Sequence, residues 1–312
     1  MDINHTSRSA SPTRDKCAQA FRDSIPEAFS GKSPADAAVR YCLNLPGGLV
    51  RSEFSYNACK ASGLTEEDSL AFGTGVEYLH TASLIFDDLP SMDNAETRRG
   101  APCVHHAFSE DSAILSSLAF INRGYSLIWQ SMQSQNEERR RRAGAYLDHC
   151  LSLQGILGGQ SRDVNMPKHA NATDILRISY DKTVSLLRLA LVMPALISGE
   201  TKVHDLERVS LYLGLAYQVV DDLKDVCGSS SEHGKTVRQD SLNGRPNIVV
   251  HEGAEKSIKR VKHYMRKQNI SLRKWISAHL EWSFLSDLEK RFDTQINTLN
   301  ASQIRKKTTH IA

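Results

Sequence analysis

The chain carries the sequence YQVVDDLKD at residues 217–225, and this stretch decides how the rest is interpreted. Gln218, Asp221, Asp222 and Asp225 are three or four residues apart, so a helix places their side chains on one face. The apolar residues around them indicate that this helix packs in a core. Aspartates one turn apart repel each other and need a counter-charge. For this stretch alone, a solvated acidic face is the alternative.

Another helical run precedes a second acidic cluster. Apolar or small residues recur every three or four positions from Phe72 to Phe86, which is the period of a buried helical face. Thr65, followed by acidic residues, has the chemistry of an N-cap with an acidic first turn. The sequence therefore predicts a buried helix that begins after Thr65.

The stretch SLIFDDLPSMDNAETRRG at residues 83–100 ends that helix. Pro90 disfavours α geometry in the residue before it, so the helix stops or kinks there. Asp87 and Asp88 then lie at the negative end of the helix dipole, an unfavourable place without a cation. The other polar residues of this region are His80, Asp93, Arg98 and Arg99.

Two carboxylate clusters on separate helices favour magnesium. Mg²⁺ takes oxygen ligands and typically bridges protein carboxylates to substrate phosphates. Nearby arginines would bind phosphate oxygens through paired hydrogen bonds. Zinc is disfavoured because the clusters lack cysteine and contain no histidine pair at ligand spacing. The residues therefore indicate a magnesium-diphosphate site.

Composition and periodicity limit the class of protein. With 312 residues, 40% of them hydrophobic, the chain can bury one large core. Helical periods dominate, and NIVV at residues 247–250 is the only stretch that resembles a strand, so we expect an all-α fold built as a single large helical bundle. The 39 basic and 36 acidic residues give no strong field for nucleic acid.

The cysteines and the ends of the chain complete this picture. The six cysteines have no framework spacing, and no apolar run is long enough to span a membrane, so we expect a cytoplasmic protein. Residues 1–14 are rich in Ser, Thr and Pro, and residues 301–312 form a similar basic tail. Both ends are expected to be disordered, with residues 15–300 as the folded domain.

The two aspartate motifs resemble those of the trans-prenyl diphosphate synthases, the polyprenyl synthetase family. DDLPSMD at residues 87–93, followed by RRG, resembles the first motif, and the stretch at 217–225 resembles the second. Further similarities, in chain order, are GGQSRDV at 158–164, KT at 182–183, GKT at 234–236 and GRPN at 244–247. The pattern is most like bacterial geranylgeranyl diphosphate synthases. It implies a bundle of the isoprenoid synthase type with a central active-site cavity, usually in a homodimer.

The resemblance assigns roles to individual residues. Three Mg²⁺ ions are expected to hold an allylic diphosphate between the two motifs, through Asp87, Asp88, Asp93, Asp221, Asp222 and Asp225. The allylic diphosphate is expected to contact Arg98, Lys182, Thr183, Gln218 and Lys235. Isopentenyl diphosphate, the second substrate, is expected to contact Arg51, His80 and Arg99. The catalytic set is Asp87, Asp88, Asp221, Asp222, Lys182 and Lys235. An interior histidine and two surface lysines are the alternatives for His80, Lys182 and Lys235.

The implied reaction lengthens a prenyl chain by five carbons. The allylic carbon–oxygen bond ionises, the double bond of isopentenyl diphosphate attacks the cation, and a proton is lost. Ala82 and Ser83, just before the first motif, are small where a large side chain would stop a growing tail. The resemblance implies a twenty-carbon product, geranylgeranyl diphosphate, with farnesyl diphosphate or a longer product as the alternatives.

One segment departs from the family pattern. The family's GGKRxRP segment corresponds to PGGLVRS at residues 46–52, in which Gly48 and Leu49 replace a lysine and an arginine while Arg51 matches the last arginine. Three functions therefore remain open. The protein elongates prenyl chains, with the remaining cations sufficient or with the tail residues 305–307 folding over the site. Alternatively it is a class I terpene cyclase, or a non-catalytic partner subunit of a prenyl synthase, although such a subunit would be expected to have lost aspartates.

Overall fold

The computed structural model describes residues 11–31, 33–167, 170–227, 247–287, 292, 294 and 296–298, and these are almost entirely helical. The predicted all-α fold is confirmed. The α-helices of this part of the chain are α1 (Pro12–Asp23), α2 (Glu27–Ser30), α3 (Pro34–Leu43), α4 (Val50–Ala61), α5 (Glu66–Asp87), α6 (Val104–Ala107), α7 (Glu110–Gln130), α8 (Glu137–Leu151), α9 (Ile156–Val164), α10 (Ala172–Ser179), α11 (Ser185–Ser198), α12 (His204–Cys227), α13 (Ile248–Glu252) and α14 (Ala254–Ala278). A π-helical turn occupies Tyr180–Val184, a 3-10 helix occupies Leu280–Asp287, and two short strands are β1 (Thr97–Arg98) and β2 (Ala101–Pro102).

Two local structures differ from the sequence expectations. The stretch at residues 247–250, which resembles a strand, forms the start of α13, because the Asn247 side chain accepts hydrogen bonds from the N–H groups of Val249 and Val250. The strands β1 and β2 pair as a small antiparallel hairpin. Arg99 and Gly100 form its turn, both with positive φ, as a two-residue hairpin turn of this hand requires.

The N-terminal boundary of the folded chain lies earlier than the predicted residue 15. Helix α1 begins at Pro12, because the Ser11 side chain accepts a hydrogen bond from the Arg14 N–H and proline suits the first helical position. Residues 12–14 of the predicted leader are therefore helical. The rest of that leader, residues 1–10, and the predicted tail at 301–312 lie outside the described residues.

The chain divides into two compact units. Among the described residues, the N-terminal unit comprises those up to residue 148 together with 189–201. The C-terminal unit comprises those of 149–188, 202–227 and 247 onward. Asp87 and Asp88 lie in the N-terminal unit, and Lys182, Asp221 and Asp222 lie in the C-terminal unit. In neither unit does a described helix combine the length and apolar character needed to cross a membrane.

Helix α5 is the centre of the N-terminal unit, where it packs against α1, α4 and α7. Phe21, Tyr78 and Phe120 meet in its core with ring centroids 5.1 to 6.5 Å apart. The backbones of α5 and α7 touch at Gly75 and Gly124, where an added Cβ on Gly75 would lie 2.8 Å from the Gly124 carbonyl oxygen. Glycine costs helix propensity at these positions, but it allows the close approach that fixes α5 in place.

Helix α12 is the centre of the C-terminal unit. It packs along α14 and also contacts the π-helical turn, α10 and α13. Val209, Leu213 and Val220 on α12 are fully or almost fully buried. Tyr212 stacks on Tyr264 of α14 with centroids 6.2 Å apart. This packing places the polar face of α12, with the second aspartate motif, beside the π-helical turn and α13.

Candidate active site

The first aspartate motif begins where α5 ends. Thr65 caps the helix start, as predicted, by accepting a hydrogen bond from the Asp68 N–H. The helix ends at Asp87, with Asp88 as its C-cap, so the helix stops before Pro90 as expected. Asp87 and Asp88 are both buried, 8% and 4% exposed. Two carboxylates therefore lie at the negative end of a helix and largely out of water.

The loop after α5 folds back on the helix end. The N–H of Asp93 donates to the Asp87 carbonyl, that of Asn94 to Leu89, and that of Ala95 to Asp88, at 2.9 to 3.2 Å. Asn94 adopts a positive φ of 49°, which asparagine tolerates better than most residues. These bonds satisfy carbonyl groups that a helix end leaves open. They also bring the backbone of Asp93 next to that of Asp87.

Asp88 is neutralised by Arg98 on strand β1. The Arg98 Nε lies 2.9 and 2.8 Å from the two Asp88 carboxylate oxygens, and its Nη2 lies 2.5 Å from Oδ1. Burial opposes the charge of Arg98, but the Asp88 carboxylate outweighs it and raises the pKa of the guanidinium. A predicted metal ligand and a predicted diphosphate-binding residue therefore pair with each other. Arg98 thus supplies a positive charge to Asp88 at the negative end of α5.

Arg51 and His80 meet inside the N-terminal unit. Arg51 Nη1 lies 3.0 Å from His80 Nε2, and both residues are buried. Burial lowers the pKa of His80 well below 6.5, and the positive charge of Arg51 adds to the effect. The imidazole is therefore neutral, accepts the Arg51 hydrogen bond at Nε2 and carries its proton on Nδ1. This contact places an arginine and a neutral histidine together, and their role in one diphosphate subsite stays a prediction.

Arg99 is held by the segment that departs from the family pattern. Its Nη1 donates to the Leu45 carbonyl at 2.5 Å, and its guanidinium packs against Gly47. Gly47 has a φ of 66°, which favours glycine, and a Cβ added there would lie 2.5 Å from the Arg99 Cζ and displace the guanidinium. The loop before α4 thus fixes one cation of the predicted subsite through its backbone.

Glu77 is a charged residue of this cluster that the sequence analysis missed. It is 2% exposed and accepts a hydrogen bond from the Ser52 N–H at 2.9 Å. Burial raises the pKa of Glu77, against the opposing effects of Arg51 and Arg99. The sequence signal is an acidic residue one turn before His80 on an otherwise apolar face. It places a counter-charge beside the two arginines.

Ala82 and Ser83 occupy different environments. Ala82 is 1% exposed and belongs to the apolar core of the N-terminal unit. Ser83 is only partly buried, and its hydroxyl donates to the His80 carbonyl at 2.9 Å. A large residue at position 82 would overpack the core. Position 83 is only partly buried, so a larger side chain can extend outward there. Of the two predicted chain-length residues, Ser83 can therefore be enlarged with less damage to the fold.

The second aspartate motif is organised by hydrogen bonds. Asp222, 5% exposed, accepts hydrogen bonds from Gln218 Nε2 at 2.8 Å and from the Ile248 N–H at 3.1 Å. Gln218 Oε1 in turn accepts a hydrogen bond from the Thr183 hydroxyl at 2.8 Å. Asp221 and Asp225 are partly exposed on the same helix. Three predicted site residues thus form a continuous chain from Thr183 to Asp222.

Lys182 lies in the π-helical turn between α10 and α11. Its ammonium pairs with Asp163 of α9 at 2.9 Å, and the neighbouring Asp181 pairs with Arg162 of α9 at 2.5 Å. Gly159 of α9 also touches the Lys182 backbone, since a Cβ there would lie 2.5 Å from the Lys182 nitrogen. π-Helical turns occur frequently at functional sites. The sequence analysis noted the motif that contains Arg162 and Asp163, but not these two ion pairs.

Several predicted residues lie outside the described residues: Lys235, the GKT stretch at 234–236, the first three residues of GRPN and the tail at 305–307. Their predicted roles stay predictions.

The donor set fits magnesium. Every predicted ligand is an aspartate oxygen, which is the donor that Mg²⁺ prefers. Within the described ranges, no three acidic, histidine or cysteine side chains converge to enclose a metal by themselves. Mg²⁺ is usually bound by one or two carboxylates, waters and substrate phosphates rather than by a cage made only of protein. Each aspartate motif therefore offers oxygen donors of the kind that Mg²⁺ takes, and the metal-binding role of these residues stays a prediction.

The chain belongs to the polyprenyl synthetase family, whose family model matches residues 33–277. A geranylgeranyl pyrophosphate synthase named as chloroplastic, from Capsicum annuum, is 34% identical over 239 residues, which are 75% of this chain and 65% of that protein. Geranylgeranyl pyrophosphate synthase 7 of Arabidopsis thaliana, also named as chloroplastic, is 35% identical over 248 residues, 77% of this chain and 71% of that protein. The match thus spans about two thirds of these relatives.

A solved structure shares the fold. A geranyltransferase from Helicobacter pylori, in complex with magnesium and isoprenyl diphosphate, superposes with a TM-score of 0.71 at 22% identity, covering 95% of this chain and all of that one. The fold is therefore that of the isoprenoid synthases, as the resemblance implied.

Proposed function

We propose that this protein is a trans-prenyl diphosphate synthase, which condenses an allylic diphosphate with isopentenyl diphosphate to give a longer all-trans prenyl diphosphate. The observation that carries the proposal is that both aspartate motifs are intact and each is built into a network with residues of the predicted site. Asp88 pairs with Arg98, and Asp222 accepts hydrogen bonds from Gln218 and the Ile248 N–H. A surface acidic patch would have neither burial nor such partners.

The aspartates would bind the allylic diphosphate through Mg²⁺, three ions by analogy with the family. When bound, Mg²⁺ neutralises the charge that develops on the diphosphate leaving group. Arg98, Lys182 and Thr183 would contact the same diphosphate. Because Arg98 and Lys182 already pair with aspartates, substrate binding requires them to exchange a carboxylate for phosphate oxygens, which are equally good partners for their charge.

Arg51 and Arg99 would hold the diphosphate of isopentenyl diphosphate. They are fixed by His80, by the Leu45 carbonyl and by the charge of Glu77, so their positions do not depend on a lysine at position 48. Neutral His80 can donate from Nδ1 without adding a buried charge. This arrangement favours elongation over the terpene cyclase, since a cyclase has no use for a second diphosphate subsite.

The proposed reaction is complete without a covalent intermediate between substrate and enzyme. The allylic carbon–oxygen bond breaks and leaves pyrophosphate, the new carbon–carbon bond forms from the isopentenyl double bond, and one proton leaves the adjacent carbon. The released pyrophosphate is the base we assign to that proton. Apolar residues below the first motif, including Ala82 and Ile85, would exclude water from the cation.

We further propose geranylgeranyl diphosphate as the product. The two relatives named above are geranylgeranyl pyrophosphate synthases, and Ser83 leaves room for a long tail. Ser83→Phe should shorten the product. An unchanged product would show that the limit on chain length lies elsewhere. Ala82→Phe is a poorer test, because overpacking of the core would lower stability as well.

A homodimer is the proposed assembly. Helix α7 packs on α5 with one face and carries a stripe of exposed large apolar side chains on another: Ile114, Leu115, Leu118, Tyr125 and Trp129. The stripe continues at Trp129 into a cleft of about 480 Å³ between α7 and α8, into which a second copy could insert side chains. Exposed apolar patches of this kind mark protein interfaces.

A cytoplasmic location also remains a proposal. Five of the six cysteines, Cys17, Cys42, Cys59, Cys103 and Cys150, are free and buried thiols. Free thiols suit a reducing compartment. The plant relatives named above are described as chloroplastic, so a plastid is the competing location.

A product assay tests the proposed reaction. Farnesyl diphosphate alone and farnesyl diphosphate with isopentenyl diphosphate are each incubated with enzyme and Mg²⁺, and the products are identified by mass spectrometry with and without phosphatase. A longer prenyl diphosphate that needs both substrates supports the synthase. A hydrocarbon or cyclic alcohol from farnesyl diphosphate alone would replace it by the cyclase. No product in either reaction would favour the partner subunit.

A further inference from the structure

Helix α14 is the most basic helix of the described chain. Between Ala254 and Ala278 it contains one acidic residue, Glu255, and eight basic ones. These are Lys256, Lys259, Arg260, Lys262, Arg266, Lys267, Arg273 and Lys274. The chain as a whole has 39 basic and 36 acidic residues, so the imbalance belongs to this helix and not to the composition.

The positive charge lies on the exposed side of α14. The apolar residues of the buried side are Ile258, Val261, Tyr264, Met265, Leu272 and Trp275. Lys262, Arg266 and Arg273 are exposed, and Ile270, also exposed, lies among them on the same side of the helix. Since the apolar side is already used in packing, the basic side faces solvent.

Most of these cations have no partner in the described part of the chain. Arg260 pairs with Glu252, Lys259 with Glu255, and Lys256 approaches Glu252 at 3.8 Å. The other five cations of α14 make no ion pair or hydrogen bond with any described residue. These five are Lys262, Arg266, Lys267, Arg273 and Lys274.

The arginine run of α8 shows the contrast. The sequence EERRRR at residues 137–142 is the more obvious charge block, but each of its arginines has a partner within the protein. Arg139 bonds to Gln135, Arg141 to Glu138, and Arg142 to the Glu200 carbonyl. Arg140 bonds to the carbonyl groups of Gln133 and Gln135. The unpaired charge of α14 is therefore not a general property of basic stretches in this chain.

We propose that the exposed basic side of α14 docks on a membrane surface that contains anionic phospholipids. Each Lys or Arg close to such a surface contributes attraction, and a row of five along about 18 Å of helix can contact several headgroups at once. Ile270, 51% exposed, and Leu280, 72% exposed just after the helix, supply aliphatic contacts. Binding is peripheral and reversible, because the apolar side of α14 remains packed on α12.

A lipid surface fits this face better than a nucleic acid or a protein. No exposed aromatic Phe, Tyr or Trp occurs in α14, so bases would find no ring on which to stack. An acidic protein would need a matching row of carboxylates, whereas an anionic bilayer presents negative charge at every position. One part of the argument rests on the proposed function: a product with a twenty-carbon tail partitions into membranes, so docking would shorten its path from the enzyme.

The test is vesicle sedimentation without substrate. The protein is mixed with vesicles of equal parts phosphatidylserine and phosphatidylcholine, or of phosphatidylcholine alone, at about 0.1 M salt and at about 1 M salt. We expect binding only to the anionic vesicles at low salt. Neutralising three cations, Lys262→Gln with Arg266→Gln and Arg273→Gln, should weaken partitioning roughly a hundredfold.

A matched control variant distinguishes an effect of the basic side of α14 from an effect of net charge. Lys16→Gln with Arg141→Gln and Arg177→Gln removes the same charge from exposed positions on three other helices, and it should bind as the wild type does. Circular dichroism of both variants checks folding. Equal loss in both variants, equal binding to phosphatidylcholine, or tighter binding to a duplex oligonucleotide or polyglutamate would overturn the proposal. Because vesicle binding needs no turnover, it can fail while the proposed reaction holds, and the reverse.

Discussion

The two aspartate motifs keep their carboxylates buried by different means. In the N-terminal unit, Asp88 lies at a helix end and is neutralised by a full positive charge on Arg98. In the C-terminal unit, Asp222 lies within a helix and is satisfied by an amide and a backbone N–H. Among the described residues, the donor to Asp88 is charged and the donors to Asp222 are neutral. A buried carboxylate can thus be held by a charged donor or by neutral donors, and the two arrangements should differ in their sensitivity to mutation.

Removal of one carboxylate from each motif should have the largest effect. We expect Asp87→Ala and Asp221→Ala each to lower turnover by about 10²–10³ or more, because each removes a group that stabilises the charge of the leaving diphosphate. Initial rates with saturating Mg²⁺ and circular dichroism measure activity and fold together. Near-normal turnover in either variant would remove that motif from the proposed metal site.

Stability distinguishes the two means of holding a carboxylate. Asp88→Asn leaves the mostly buried Arg98 without its counter-charge and should cost about 3 kcal/mol of unfolding free energy. Asp222→Asn keeps one of the two accepting oxygens and loses one neutral hydrogen bond, so it should cost about 1 to 2 kcal/mol. Urea unfolding measures both. As a control, Asp88→Leu combined with Arg98→Leu should lose less than Asp88→Leu alone. Equal losses at positions 88 and 222 would contradict the comparison.

The pH dependence should belong to the N-terminal unit. His80 has a pKa well below 6.5 in the folded protein, so below pH 6.5 the unfolded chain binds a proton that the folded chain does not. His80 therefore stabilises the fold above pH 6.5, and this contribution is lost as pH falls, by up to about 1.4 kcal/mol per pH unit.

The matched variant is His80→Gln, which cannot titrate. Its unfolding free energy should fall less than that of the wild type between pH 7 and pH 5. Thr183→Val, which breaks the neutral network of the C-terminal unit, should leave the wild-type slope unchanged. Parallel curves for wild type and His80→Gln would mean that His80 is not held neutral.

The smallest expected effect concerns residues 46–52, the segment that departs from the family pattern. Gly48→Lys should lower the KM for isopentenyl diphosphate several-fold, by about 1 kcal/mol of added charge attraction, and leave the KM for the allylic substrate unchanged. Steady-state kinetics with each substrate varied in turn give both values. A change in the allylic KM alone would place Gly48 at the other diphosphate. No change in either value would show that the segment has no contact with substrate.

The sequence predicts the helices of the site well and their connections poorly. Start and end of α5 follow from Thr65 and Pro90, because caps and proline act locally. The pairing of Asp88 with Arg98 does not follow, since it depends on a hairpin whose turn places Arg99 at positive φ. The start of α13 was missed because β-branched residues outweighed the cap at Asn247.

The identity of site residues is likewise easier to predict than their partners. Aspartates at helical spacing are visible in the sequence, and their networks contain several predicted residues. Glu77 escaped notice because a single acid on an apolar face has no motif, and its role appears only with Arg51 and Arg99 nearby. Asp163 and Arg162 were in a noted motif, but which side chains they meet depends on how α9 packs on the π-helical turn.

In the π-helical turn at Tyr180–Val184, the number of residues affects the candidate site more than their identity does. A π-helical turn holds one residue more than an α-helical turn, and each residue of an α-helix advances by about 100°. If any one residue of the turn were deleted, the turn would become α-helical. The residues before the turn would then rotate by about 100° about the helix axis relative to those after it. Thr183 and Lys182 would then no longer both meet Gln218 and Asp163. A one-residue deletion can be accommodated at most helix ends, but in this turn it would break the contacts of the candidate site.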